Sequence, residues 1–81
     1  MYIKFVWGTK DDDPGRMEVV ETEKMRIEWG HGEVKTTDGA TVKGEGYLMA
    51  VTTGETLTVL GEGDAAYIMN EAGKTIDRFN V

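Results

Sequence analysis

Cysteine and serine are both absent from this chain of 81 residues. The lack of cysteine excludes disulfides, zinc–thiolate sites and a thiol nucleophile, and it makes a reducing compartment the natural expectation. The lack of serine excludes a serine nucleophile, and no threonine has the histidine-centred context that would activate its hydroxyl. Most routes to nucleophilic catalysis are therefore closed.

Long apolar runs are also missing. No run approaches the roughly 20 residues that span a bilayer, and residues 2–7 alternate where a signal peptide would carry a continuous apolar stretch. We therefore expect a cytoplasmic, unprocessed protein with no membrane partner. A chain this short buries only roughly 60–65% of its unfolded surface, so a deep catalytic cavity is not expected.

Histidine occurs once, at His31, between Gly30 and Gly32. It has no histidine partner, and no carboxylate lies at a spacing typical of a metal site or a catalytic pair. We therefore expect a solvated histidine in a glycine turn. The sequence predicts no catalytic residue, no cofactor-binding residue and no metal ligand, and hence no enzyme.

Alternation of apolar and polar residues is the strongest positive signal in the chain. Met25, Ile27 and Trp29 alternate with polar neighbours, a period of two that places one set of side chains on one face of a β-strand. The pattern predicts that these three side chains face the core. Their expected neighbours there are Ile3, Phe5, Leu57, Val59 and Ile68.

The first part of the chain is predicted to form three strands. Residues 2–7 carry apolar side chains on both faces, which is typical of a strand inside a sheet or against a partner. Residues 16–29 fit two strands joined at about residues 21–24, or one long bent strand in place of the two. A helix is less favoured, because their apolar positions do not recur at helical spacing.

The middle of the chain contains the clearest hairpin signal. Asp38-Gly39 predicts a type I′ turn between strands over residues 33–37 and 40–43. Both strands are mostly polar, so we expect them at an edge of the sheet or projecting outward.

The second half of the chain reads as further hairpins. Residues 47–52 are apolar on both faces and, with residues 55–60, are expected to be the central strands. Residues 65–69 and 74–81 form the last predicted hairpin, in which Gly73 takes a left-handed conformation that closes a type I turn with a bulge. The whole chain, residues 1–81, is thus predicted to be one small all-β domain. It is expected to be a barrel or two-sheet sandwich of about seven short, mostly antiparallel, meander-connected strands.

Acidic residues outnumber basic ones, 15 to 9, which gives a net charge of −6. Their densest run is Asp11-Asp12-Asp13, which leads into the only proline on a loop over residues 8–15. The run lacks the spaced aspartates of a calcium loop, so a partner with a basic surface is favoured over a metal ion. A solvated loop is the simpler alternative. The predicted partner-binding residues are Asp11, Asp12, Asp13, Glu62 and Asp64.

The aromatic side chains are expected in the core, because a domain this small needs every large side chain there. Direct binding of nucleic acid is not expected, since the acidic chain repels phosphates. The segments at residues 44–46 and 61–63 are interpreted as turns or bulges. Neither is interpreted as a phosphate loop, because each carries a glutamate and neither leads into a helix.

Three functions remain open. The first is a non-catalytic protein-binding module, such as an inhibitor that occupies a basic, nucleic-acid-binding surface of its partner, as small inhibitors encoded by phages and mobile elements do. The second is an assembly subunit that forms a homodimer or larger homo-oligomer through strand faces or edges. The third is a protein that sequesters a small ligand or nucleotide.

Overall fold

The computed structural model describes residues 1–8 and 15–81, and this part of the chain has an all-β fold. It contains seven strands, which agrees with the sequence prediction. They are β1 (Tyr2–Val6), β2 (Met17–Glu21), β3 (Met25–Lys35), β4 (Thr41–Thr53), β5 (Thr56–Gly61), β6 (Ala65–Met69) and β7 (Thr75–Asn80).

The strands form two antiparallel sheets. The four-stranded sheet has the order β2-β1-β6-β7, and the three-stranded sheet has the order β3-β4-β5. Every pairing except that of β1 with β6 joins strands that follow each other along the chain, so the predicted meander order is confirmed. As predicted, β1 lies inside a sheet and β4 is central. The prediction was wrong for β5, which lies at an edge.

The main core lies between the two sheets. Because side chains alternate along a strand, each sheet turns one apolar set towards the other sheet. Phe5, Met49 and Leu60 are completely buried there. Among the described residues there is no helix of the length and hydrophobicity that a membrane span requires. The buried members of this core are Ile3, Phe5, Met49, Val51, Leu60 and Ala66.

Some of the residues predicted to share the core do so, and others do not. Met25 and Ile27 pack against the main core, as expected. Trp29 does not, because its side chain is 52% exposed. Leu57 and Val59 pair with Thr52 and Ala50 of β4, and their side chains therefore lie on the other face of the three-stranded sheet. The alternation gave the right period but assigned β5 to the wrong face.

A sharp bend divides the long β3–β4 hairpin. The pairing register shifts between His31 and Glu33, and Gly32 has a φ of +74°. The Cα of Val34 lies only 2.9 Å from the position that a Cβ on Gly30 would take. An extended strand would separate residues four apart by about 13 Å, so the chain turns back here. The end of the hairpin therefore folds over the three-stranded sheet.

The folded end of the hairpin builds a second core. Val34 is buried with Leu48 and Ala50, and Val42 and Val59 pack against them. The expectation that these polar strands lie at an edge or project outward is wrong, because Val34 and Val42 cover the second face of β4. This packing explains why residues 47–52 are apolar on both faces.

The hairpin turns follow one pattern. Gly39 has a φ of +94°, but no described residue other than glycine has a positive φ. Asp38-Gly39 is therefore not the predicted type I′ turn, which requires two positive φ values. The N–H of Gly39 donates to the carbonyl of Thr36 at 3.0 Å, which fits a type I turn closed by a left-handed glycine. Gly73 has a φ of +81° and plays the same role in the last hairpin, as predicted.

Candidate functional site

Four ring-bearing side chains meet at one side of the two sheets, and we call them the aromatic cluster: Trp29, His31, Tyr47 and Phe79. Trp29 and His31 lie on β3, Tyr47 on β4 and Phe79 on β7. The side chains of Trp29 and Tyr47 are 52% and 59% exposed, although both are large and apolar. Exposed aromatic side chains that lie together mark an interaction surface more often than isolated ones do.

The rings of the aromatic cluster contact each other in pairs. His31 and Tyr47 are register partners, and their rings meet edge to face with centroids 4.7 Å apart. Trp29 and Phe79 meet across the two sheets with centroids 6.4 Å apart. Both distances lie in the range of favourable aromatic pairs. The cluster is therefore fixed by contacts within the molecule before any partner binds.

The positions of the residues along β3 explain why Trp29 is exposed. Met25 and Ile27, nearer the start of the strand, pack against the main core, whereas Trp29 is 52% exposed. The face that carries Trp29 thus loses the cover of the main core along the strand. Phe79 packs against the main core and also contacts the ring of Trp29.

A carboxylate lies directly beside the aromatic cluster. The backbone N–H of Tyr47 donates to Glu62 Oε2 at 3.1 Å. Gly46 makes this contact possible, because a Cβ at that position would overlap the Glu62 carboxylate. Gly46 also has a φ of +70°, a conformation that favours glycine. A negative charge is thus held at the backbone of an exposed aromatic residue.

The structure separates the predicted partner-binding residues. Glu62 lies at the aromatic cluster. Asp64 instead ties two backbone segments together, since its carboxylate accepts the N–H of Gly61 at 2.7 Å and the N–H of Gly8 at 2.9 Å. Asp11, Asp12 and Asp13 lie outside the described residues. No described contact therefore brings Asp64 to the cluster.

His31 differs in part from its prediction. It is exposed, as expected, but it lies within β3 rather than in a turn. The glycines around it were read as turn residues, whereas they form the bend at which the hairpin folds back. The segments at residues 44–46 and 61–63 are an irregular part of β4 and a turn, as predicted.

The chemistry available at the aromatic cluster is that of an open surface. Within residues 1–8 and 15–81, no three carboxylate or imidazole groups converge to hold a metal ion. The same residues form no ligand-sized pocket. Two exposed rings beside a carboxylate favour a cation, because an arginine or lysine side chain can stack on a ring and pair with the charge.

Sequence reasoning missed Trp29 and Tyr47 as surface residues. Both fit a core-facing alternation, and a period of two does not show where the opposing sheet ends. The usable signal was glycine spacing: Gly30 and Gly32 interrupt β3 beside Trp29, and Gly46 precedes Tyr47. Glycines inside a strand pattern indicate a bend or a close approach of backbone.

Comparison with protein-family models, with curated proteins and with solved structures finds no match to this chain.

Proposed function

We propose that this protein is a non-catalytic protein-binding module whose contact surface is the aromatic cluster together with Glu62. The observation that carries the proposal is the side-by-side exposure of Trp29 and Tyr47 on two paired strands. Tryptophan and tyrosine dominate the binding energy of many protein interfaces. Here they are held on a rigid sheet, so little conformational entropy is lost on binding.

The partner is expected to present a basic surface. Glu62 lies beside Tyr47, and Glu45 is exposed two residues before it. An arginine that stacks on Tyr47 or Trp29 would meet these carboxylates at its guanidinium edge. The net charge of −6 adds long-range attraction that speeds the encounter with a basic protein. Where that basic surface of the partner also binds nucleic acid, covering it would make this protein an inhibitor.

A titration with short peptides tests this proposal. The probe is an arginine-rich peptide, and the matched control is the same peptide with citrulline, which keeps the shape of arginine and removes its charge. We expect the arginine peptide to shift the indole N–H signal of Trp29 and the amide signal of Tyr47 in NMR spectra. The shifts should weaken as salt rises, because the attraction is partly electrostatic.

Two protein variants complete the experiment. Tyr47→Ala should weaken binding of the arginine peptide at least about fivefold, as expected for a stacked aromatic side chain. Leu57→Ala removes a 38% exposed apolar side chain from β5 and should leave binding unchanged. Equal binding of the citrulline and arginine peptides, or shifts confined to residues outside the cluster, would contradict the proposal.

A further inference from the structure

The four-stranded sheet has a second exposed surface, which we call the outer face because its side chains point away from the main core. The strand registers arrange it in three rows. The rows are Glu21-Tyr2-Met69-Thr75, Val19-Lys4-Tyr67-Arg78 and Met17-Val6-Ala65-Asn80. On this face Met17 is 58% exposed and Val19 is 53% exposed, whereas the β1 side chains are half-buried and Ala65 is buried.

The middle row combines apolar and cationic groups. Lys4 Nζ lies 5.8 Å from the centroid of the Tyr67 ring, and the Arg78 guanidinium lies 5.1 Å from it on the neighbouring strand. The four residues of this row include no carboxylate, although the chain as a whole is acidic. A covering surface must therefore place neutral groups, and not further cations, directly opposite Lys4 and Arg78.

We propose that the outer face binds a second copy of this chain and forms a two-fold symmetric dimer. Both β1 and β4 carry apolar residues on two faces. The end of the β3–β4 hairpin covers the second face of β4. On the outer face beside β1, Met17 and Val19 remain more than half exposed. Two sheets that pack face to face bury such surfaces in the manner of a β-sandwich.

The charges select one of two possible symmetries. A two-fold axis across the strands would place Lys4 on the partner's Lys4 and Arg78 on the partner's Arg78, which is unfavourable. An axis along the strands reverses the strand order, so that β1 faces β6 and β2 faces β7 of the other copy. Lys4 then lies over the partner's Tyr67, and Val19 lies over the partner's Arg78. Every cation in the row meets an aromatic or apolar group.

The size of the outer face predicts a weak dimer. Strands about 4.8 Å apart that rise about 3.3 Å per residue give a four-stranded, five-residue face of roughly 300 Å² in plan. Two such faces with their side chains bury on the order of 1,000 Å² of accessible surface, which is the lower range of specific interfaces. We expect dissociation in the micromolar range.

Sedimentation velocity of the full chain from about 5 to about 500 µM tests the proposal over this range. The mass should rise from 9.0 kDa towards twice that value. Val19→Glu and Val19→Lys lose the same apolar contact, so the ratio of their dimer dissociation constants isolates the charge. Because each dimer contains two pairs between residue 19 and Arg78, Val19→Glu should dimerise at least about tenfold more tightly than Val19→Lys.

The symmetry makes this comparison decisive. The alternative axis would place residue 19 on itself, so both variants would weaken the dimer equally, and that result would overturn the proposal. A mass of 9.0 kDa at 500 µM would also overturn it. Leu57→Lys introduces the same charge on β5 of the other sheet and should leave the dimer unchanged. A dimer that is lost in Leu57→Lys or in Tyr47→Ala, with thermal unfolding unchanged, would place the interface elsewhere.

Discussion

Gly46 shows how one position connects the fold to the candidate site. Its φ of +70° makes any other residue strained, and the Glu62 carboxylate occupies the space of a side chain. Glycine at this position therefore both permits the irregular β4 backbone and brings a carboxylate to Tyr47. The sequence gives the glycine, but only the fold reveals which group lies against it.

Replacing Gly46 with alanine should reduce stability and move Glu62. Left-handed backbone costs an alanine about 1–2 kcal/mol, and a Cβ at this position also displaces Glu62 from its hydrogen bond with the Tyr47 N–H. Gly54→Ala is the matched control, because Gly54 has a φ of +59° and open space around it. Urea unfolding should show a larger loss for Gly46→Ala than for Gly54→Ala. When both variants are made in a Glu62→Ala protein, their losses of stability should become equal. A larger loss for Gly46→Ala in that protein would contradict the role given to the carboxylate.

Trp29 should contribute less to stability than its size suggests. Its ring is half exposed and packs chiefly on Phe79, whereas Phe5 is completely buried in the main core. Phe5→Ala should therefore cost about 3–5 kcal/mol of unfolding free energy, and Trp29→Ala about half of that, because only half of its surface is buried. Chemical denaturation of the two variants compares these values. An equal loss in both would mean that Trp29 belongs to the core after all.

At the scale of elements, the sequence predicted the strands better than their faces. Alternation and glycine turns located the strands because these signals are local. The fold-back of the β3–β4 hairpin was not predicted, since Val34 and Val42 are single apolar residues in polar strands. Their burial depends on Leu48 and Ala50, which lie several residues away on the same hairpin. The aromatic cluster was missed for the same reason, because its exposure depends on where the opposing sheet ends.

The turn at the end of this hairpin should respond to acid. The Thr36 hydroxyl donates to the Asp38 carboxylate, and this hydrogen bond is the main reason that the pKa of Asp38 lies below its usual 3.8. A carboxyl group whose pKa is lowered by folding stabilises the fold at pH values above its pKa in the unfolded chain. This stabilisation is lost as the pH falls through its pKa in the folded chain.

Asp38→Asn isolates this effect from the other carboxylates. Unfolding midpoints of wild type and variant between about pH 2 and pH 6 should differ most above pH 4 and converge in acid. The exchange rate of the Ala40 amide, which donates to the Thr36 hydroxyl oxygen at 3.1 Å, reports on the same turn. A difference that stays constant over the whole range would show that the charge of Asp38 does not act on the turn.

At the scale of the whole molecule, the two surfaces lie on different sides of the fold and differ in charge. The aromatic cluster has Glu62 beside it, whereas the middle row of the outer face carries Lys4 and Arg78. Electrostatic interactions alone therefore favour binding of a basic partner at the aromatic cluster and disfavour it at the outer face. Binding and self-association can then occur together in one molecule.

The dimer should bind two partners independently, an expectation that rests on both proposals. Phe79 lies on the edge strand β7, and an axis along the strands places the two β7 strands at opposite edges of the dimer. The two aromatic clusters therefore face apart and stay open. Calorimetric titration with the arginine-rich peptide should give one site per chain, and the affinity should be the same for the wild-type dimer and for Val19→Lys as a monomer. One site per two chains, or lost binding in monomeric Val19→Lys, would mean that the cluster itself is completed by the second copy.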